Sequence, residues 1–188
     1  MSNSLYFLRH AETKIKLAKP AREWNLTKAG RHSARELVET ETQVFDKMDG
    51  IIHSSEKKAK QTANIFAKAF NVETYELPEI DELGRNHEGP LTNEEYRARV
   101  RASLTDWEHS EPDWESGENA LSRFKEGVRR INIMFHNKNI LVVSHGLVLT
   151  LFFSDLSKLR MIGYERWAQL KFLSWGLVRD NKVLIDIV

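Results

Sequence analysis

The chain has 188 residues, 41% hydrophobic and 29% charged, an ordinary globular composition that makes disorder and a coiled coil poor readings. Lys and Arg number 28 against 27 for Asp and Glu, so a net charge of +1 supplies no global field to recruit nucleic acid or an acidic membrane. The absence of cysteine excludes disulfides, thiolate metal sites and cysteine nucleophiles, and fits a cytoplasmic location.

The sequence opens on Ser4-Leu5-Tyr6-Phe7-Leu8, an apolar run that reads as a buried strand and ends in Arg9-His10-Ala11-Glu12-Thr13. It carries no basic and long apolar segment of the signal-peptide kind, and no window reaches the roughly 18 apolar residues of a membrane span. A polar loop from Thr13 to Asn25 follows, then a helix with Thr27 as N-cap and Ala34, Leu37, Val38 and Val44 on its apolar face. Gly50 to His53 reads as a strand, Lys57 to Phe70 as a helix, and Val72 to Tyr75 as a weaker strand stopped by Leu77-Pro78. Beyond an acidic loop from Glu79 to Leu91, Glu94 to His109 is an amphipathic helix with Tyr96, Val100, Leu104 and Trp107 three and four residues apart. Asn119 to Phe135 is a third long helix. Asn139 to Ser144 is the strongest strand, ending in His145-Gly146, with an apolar helix from Leu147 to Phe153 behind it. Trp167 to Trp175 and Lys182 to Val188 read as two strands, with a hairpin around Asp180-Asn181.

Strands alternating with helices predict a single α/β domain over residues 1–188, with a largely parallel sheet flanked by helices. Right-handed crossovers would align the strand ends at Arg9, His53 and Ser144 along one edge, where open α/β sheets bind ligands. A guanidinium there clamps an anion through a bidentate fork, and an imidazole serves as base, acid or nucleophile. Arg9-His10 and Ser144-His145-Gly146 each place polar chemistry after a buried strand. Lys57, Lys58 and Lys60 add cations at a helix N-terminus, itself an anion site. Glu82 could supply the one acid of a basic pocket. His32, His53, His87, His109 and His136 carry no ligand spacing.

In order along the chain stand Arg9-His10-Ala11-Glu12-Thr13, Leu26-Thr27-Lys28-Ala29-Gly30 and His53-Ser54-Ser55-Glu56-Lys57-Lys58-Ala59-Lys60-Gln61-Thr62-Ala63. Ile80-Asp81-Glu82 with Glu88-Gly89, Gly117-Glu118, and Val143-Ser144-His145-Gly146 complete the series. This ordered set resembles the histidine phosphatase superfamily, the group of the cofactor-dependent phosphoglycerate mutases and many small phosphatases. The resemblance implies the phosphoglycerate mutase-like three-layer sandwich and a phosphatase using no cofactor or metal on a phosphorylated small molecule. It implies His10 as nucleophile, Arg9, His145 and a second cation as holders of the phosphoryl oxygens, and Glu82 as general acid and base. Thr13 and Lys16 would also reach the phosphate, and Glu12 and Glu118 would line the pocket.

The chain departs from the family pattern in three places. The second family arginine is replaced by Lys58, in a turn one residue short, with Lys57 as the alternative cation. The loop after Glu82 is also one residue short, which makes Asp81 a second candidate acid. Lys16 stands where the family often has Asn. A phosphohistidine phosphatase is the leading expectation. The alternatives are an inactive phospho-ligand or partner-binding member of the fold, a mutase, and a metal-dependent hydrolase built on His10, His145 and Glu82.

Overall fold

The computed structural model describes residues 2–16, 18–85 and 91–188; His87, Glu88 and Gly89 of the sequence motifs lie outside them. The strands are β1 (Ser4–Arg9), β2 (Gly50–His53), β3 (Thr74–Glu76), β4 (Asn139–Ser144), β5 (Trp175–Arg179) and β6 (Lys182–Ile185). The α-helices are α1 (Lys28–Thr40), α2 (Thr42–Phe45), α3 (Lys57–Phe70), α4 (Asn93–Thr105), α5 (Gly117–Met134), α6 (Gly146–Leu156) and α7 (Gly163–Gln169). Among the described residues, no helix is long and apolar enough to cross a membrane.

The strands form one six-stranded sheet in the order β3-β2-β4-β1-β5-β6. The pairings β3·β2, β2·β4 and β4·β1 are parallel, and β1·β5 and β5·β6 are antiparallel. The central strand β4 explains itself: Ile140 to Val143 is a continuous β-branched and aliphatic run, fully buried on both faces. Each such side chain contributes about 1.5–3 kcal/mol on burial. Alternation along the strands sorts the core into two layers. Phe7, Ile52, Ile140 and Val142 face a cluster shared with α4, α5 and α6, while Leu8, Ile51, Leu141 and Val143 face one shared with α1, α2 and α3. This is the expected helix–sheet–helix sandwich. The registers Arg9↔Ser144 and His53↔Val143 bring the three expected strand ends to one edge.

Local chemistry explains the helix starts. Thr27 caps α1 by accepting the Gly30 N–H at 2.8 Å, and its own N–H donates to the Glu12 carbonyl at 2.9 Å. A Cβ on Gly30 would run into the Glu12 carbonyl oxygen and lie 2.9 Å from the Glu12 nitrogen. The Leu-Thr-x-x-Gly signature is thus the seat on which α1 docks against the loop after His10. Lys58, Ala59, Thr62, Ala63 and Phe66 are the buried face of α3, at helical spacing. In α6 every residue from Gly146 to Ser154 is buried, so this helix lies inside the molecule.

The structure corrects the sequence reading in several places. Trp167 to Trp175 is not a strand: Trp167 belongs to α7, and β5 begins only at Trp175. Tyr164 and Trp167, three apart, pack on one helical face with ring centroids 5.8 Å apart, and residues 170–174 are pulled out of regular structure by contacts to Arg9. Strand β3 lies two residues later than the Val72 start. Val44 sits in α2 rather than α1. Trp107 lies past the end of α4, yet it is buried, its indole N–H donating to the Leu104 carbonyl at 3.1 Å. The hairpin at Asp180-Asn181 is as expected, with φ of 51° and 57°, the left-handed pair that a two-residue β-turn of this hand requires.

Candidate active site

Two imidazoles meet where β1 and β4 end. The backbone N–H of His10 continues the parallel ladder by donating to the Ser144 carbonyl at 2.9 Å. His145 is the N-cap of α6. The two buried rings lie with centroids 5.1 Å apart, inclined by 61°.

Their hydrogen bonds fix their tautomers. His10 Nδ1 lies 2.8 Å from the Ala11 carbonyl, which can only accept, so Nδ1 carries the proton and Nε2 keeps its lone pair. Ala11 is held in turn: its N–H donates to Thr62 Oγ1 at 3.1 Å, and that hydroxyl donates to the Lys58 carbonyl at 2.9 Å. His145 Nε2 lies 2.7 Å from Ser54 Oγ, while its Nδ1 is buried with no hydrogen-bond partner among the described residues. Burial is the largest cause holding both imidazoles well below the usual histidine range. His145, Lys58 and Arg9 add to it for His10, and Lys58, Arg85, Arg9 and Arg123 for His145.

Arg9 is wrapped by the segment before β5. Its Nη1 donates to the Leu170 carbonyl, and its guanidinium carbon stands 4.4 Å over the Phe172 ring. Its backbone N–H donates to the Ser174 carbonyl at 3.0 Å and its carbonyl accepts the Leu173 N–H at 3.2 Å. Leu173 adopts φ 63°, a left-handed conformation that costs about 1–3 kcal/mol and persists only where surrounding contacts over-determine it. A Cβ on Gly146 would come within 3.2 Å of Arg9 Nε, so the glycine after His145 makes room for the guanidinium. That Nε has no hydrogen-bond partner among the described residues. Phe172 also lies 5.6 Å from the His10 ring and is 41% exposed, an aromatic side chain at the surface beside the imidazole.

Of the two candidate lysines, Lys57 points to solvent and Lys58 is buried. Lys58 Nζ pairs with the Glu56 carboxylate and donates to the Ala21 carbonyl at 3.0 Å. Glu56 is itself buried, accepts the Glu82 N–H at 3.1 Å, and holds Oε1 3.7 Å from His145 Nε2. Burial pushes the Glu56 carboxyl up, but Lys58 and the hydrogen bonds from Lys58 and Glu82 outweigh it and leave it below its ordinary value.

Glu82 lies at the start of α6, where its carboxylate accepts the N–H groups of Leu147 and Val148, each at 3.1 Å. The neighbouring Asp81 is committed elsewhere, accepting the Ser55 N–H at 2.7 Å and its hydroxyl at 2.5 Å. The backbone here is clamped from α5. Arg123 donates to the carbonyls of Glu79, Asp81 and Glu82 at 2.9, 3.0 and 3.1 Å, braced by Glu115 at 2.7 Å. Ser144 Oγ ties the same segment to β4 through the Ile80 carbonyl at 2.8 Å.

The remaining expected residues lie apart. Thr13 is half-buried and bridges to Leu26, and Lys16 is exposed. Among the described residues no hydrogen bond or ion pair joins either side chain to Arg9, His10 or His145. Glu12 is engaged by the Thr27 hydroxyl at 2.5 Å, and Glu118, half-buried, pairs with Arg160 at 3.1 Å. No group of three or more His, Asp or Glu side chains among the described residues is arranged to hold a metal.

The sequence reading missed four parts of this site. Glu56 carried a signal, an acid two residues before Lys58 at the start of the same helix. Arg123 carried a weaker one, a charge between the core residues Leu121 and Phe124. Glu115 carried none, and Phe172 was hidden in a stretch read as strand.

The structure is thus an α/β sandwich in which two facing imidazoles, a guanidinium and a buried lysine gather at one edge of the sheet. The model of the histidine phosphatase superfamily, branch 1, matches residues 5–179, and the chain belongs to that family. It is 29% identical over 114 residues to the adenosylcobalamin/alpha-ribazole phosphatase of Salmonella typhimurium, a match covering 57% of this chain and only 56% of that relative. Solved structures agree on the fold. YhfR of Bacillus stearothermophilus superposes with a TM-score of 0.76 at 19% identity, over 98% of this chain and 95% of its own. A phosphoserine phosphatase of Entamoeba histolytica, solved with phosphoserine, gives 0.76 at 19% identity over 97% and 94%. A mycobacterial glucosyl-3-phosphoglycerate phosphatase gives 0.75 at 18% over 93% and 90%.

Proposed function

We propose that this chain is a phosphatase of the histidine acid phosphatase type, hydrolysing a small phosphomonoester through a phosphohistidine on His10 Nε2. The observation that carries the reading is the imidazole pair 5.1 Å apart, one ring with a free Nε2 lone pair and the other with a buried, unpartnered Nδ1. Membership of a family with phosphatases among its relatives supports it.

In the first step His10 Nε2 attacks phosphorus, an N–P bond forms, and the ester P–O bond breaks. The leaving oxygen takes a proton from the Glu82 carboxyl group. Arg9, His145 and Lys58 hold the three phosphoryl oxygens and balance the charge spread over them. Water then attacks the phosphohistidine, giving its proton to Glu82. The N–P bond breaks and inorganic phosphate leaves. Burial and nearby cations keep His10 neutral, as a nucleophile must be. Thr13 and Lys16, on the loop after His10, touch the substrate only once it is seated. Phe172 meets the leaving group.

The test is hydrolysis of p-nitrophenyl phosphate by the wild type and His10→Ala, with acid-labile, base-stable phosphate trapped on the wild type. Turnover that survives His10→Ala overturns the reading. One observation favours a second reading, a phospho-ligand-binding member without turnover: Lys58 Nζ is already committed to Glu56 and the Ala21 carbonyl. A wild type that binds phosphate yet never releases nitrophenol supports it.

A further inference from the structure

The Glu56 carboxylate has no part in the chemistry above, yet it is buried directly behind the second imidazole. Hydrogen-bond accounting shows what that does. Ser54 is fully buried, and its Oγ accepts the Glu56 N–H at 3.0 Å. Among the described residues the one other partner of that hydroxyl is His145 Nε2 at 2.7 Å. The hydroxyl hydrogen therefore goes to Nε2, and the neutral His145 ring carries its proton on Nδ1, the nitrogen with no partner among the described residues. His10 is the same tautomer, but its Nδ1–H is spent on the Ala11 carbonyl. Each ring thus has one nitrogen left for a further proton, Nε2 in both cases, and the two positions differ in kind. On His10 a proton would occupy the lone pair that attacks phosphorus. On His145 it would land beside Ser54 Oγ, which can accept it, and 3.7 Å from Glu56 Oε1.

A dianion entering between the rings favours protonation of both, while two charged rings 5.1 Å apart repel, so the pair takes up one proton rather than two. Resting on the phosphatase reading, we infer that Glu56 decides which ring receives it. Glu56 directs the proton to His145 and leaves His10 Nε2 free as the nucleophile. Of the other charges facing this pair, Lys58 and Arg9 disfavour an imidazolium at both rings, Arg85 and Arg123 disfavour it at His145, against the pull of Glu56, and Glu82 is held at the start of α6 by Leu147 and Val148. Among the described residues Glu56 is the carboxylate within ion-pair range of a ring nitrogen of this pair, and the nitrogen is on His145. Glu56 is a positioning residue: it acts through His145 and touches no substrate. The step balances as one proton taken from solvent for each dianion bound and returned when the dianion leaves.

Sulfate is the probe, because it remains a dianion across the useful pH range and every proton taken up belongs to the protein. Titration calorimetry of the whole chain at pH 7, in buffers of different ionisation enthalpy, is expected to find close to one proton taken up per sulfate. Imidazole nitrogen-15 shifts of the same wild-type complex are expected to show both nitrogens of His145 protonated and His10 protonated on Nδ1 alone. In Glu56→Gln the proton moves to His10 or its uptake falls below half. The acid limb of kcat/KM for an aryl phosphate then shifts upward by about one pH unit. Protonation of His10 in the wild-type sulfate complex, absence of proton uptake, or an unchanged partition in Glu56→Gln overturns the inference, and the first two need no variant to fold. A wild type that takes up the proton onto His145 but never hydrolyses an ester removes the phosphatase reading and leaves the partition standing.

Discussion

The Thr62 hydroxyl lies 3.1 Å from the Ala11 nitrogen, tying the buried face of α3 to the residue that follows His10. Because the Ala11 carbonyl in turn holds His10 Nδ1, the tautomer of His10 depends on a threonine 51 positions beyond Ala11 in sequence. Thr62→Val keeps the shape and deletes the acceptor, leaving the Ala11 N–H buried and unpaired, a loss of about 1–3 kcal/mol. The expected outcome is a matching drop in urea-denaturation stability. A fall of about tenfold in kcat should accompany it with little change in KM, the pattern of a contact that matters in the transition state.

Lys58 and Glu56 form a buried ion pair, so removing one partner is worse than removing both. Lys58→Met should destabilise the protein by about 3–5 kcal/mol at pH 7, because it strands a buried carboxylate. The loss should shrink as the pH falls into the range where Glu56 protonates. Lys58→Met combined with Glu56→Gln should recover most of the stability without recovering turnover. A double-mutant cycle on denaturation midpoints checks the coupling; additive effects would contradict it. Lys58→Arg restores a fork able to hold both Glu56 and a phosphoryl oxygen, and should retain activity where Lys58→Met loses roughly tenfold to a thousandfold.

Stability should depend on pH in two separate windows. His10 and His145 are held well below the histidine range in the folded state and titrate near 6.5 when unfolded. Their contribution is therefore complete above that value and is lost as the pH falls below it, because the unfolded chain binds the protons first. Each neutral histidine gives a slope of up to about 1.4 kcal/mol per pH unit, so His10→Ala should flatten the decline between about pH 6 and 5 by that amount. Glu56 is lowered from 4.5, so its contribution is present above that pH and lost as the pH falls through its folded value. Glu56→Gln should alter the profile in this lower window. Denaturation free energies from pH 8 to 3 separate the two, and a profile unchanged by His10→Ala would refute the buried neutral ring.

Arg123 reaches three carbonyls of the Glu79–Glu82 segment and, among the described residues, makes no hydrogen bond to Arg9, His10 or His145. Arg123→Ala removes those donors, strands Glu115, and frees the backbone that aims Glu82 at α6. A destabilisation of about 2–4 kcal/mol is expected. Arg123→Lys should restore part of the stability but little of the rate, since an ammonium cannot serve three carbonyls and a carboxylate at once. Thermal melts and steady-state kinetics on both variants check this. Equal activity of wild type and Arg123→Ala would show that Glu82 needs no such support.

The imidazole pair was legible in the sequence because both histidines follow strands whose apolar runs are unambiguous, and because sheet topology forces such ends together. The choice between Lys57 and Lys58 was not, since a helix start gives no phase. Thr62 settles it in retrospect: four residues from Lys58, it shares the buried face, while Lys57 lies outside it. The shortened loop made Asp81 a second candidate beside Glu82, and the two differ in what each meets, Ser55 for Asp81 and the α6 N-terminus for Glu82. Glu115, Arg123 and Phe172 act across 8, 41 to 44 and more than 160 residues respectively, and local pattern carries no information at such range. The stretch around Phe172 was misread because its apolar spacing imitates a strand, while its backbone is spent on Arg9.

The wrap of residues 170–174 around Arg9 has a consequence for how the protein comes into being. Arg9 ends β1, yet the carbonyl that orients its guanidinium comes 161 residues later in the chain. A nascent chain can assemble β1, β2 and β4 in register and still have this side chain swinging loose. Its orientation is granted only after residues 170–174 have been made and β5 has docked beside β1.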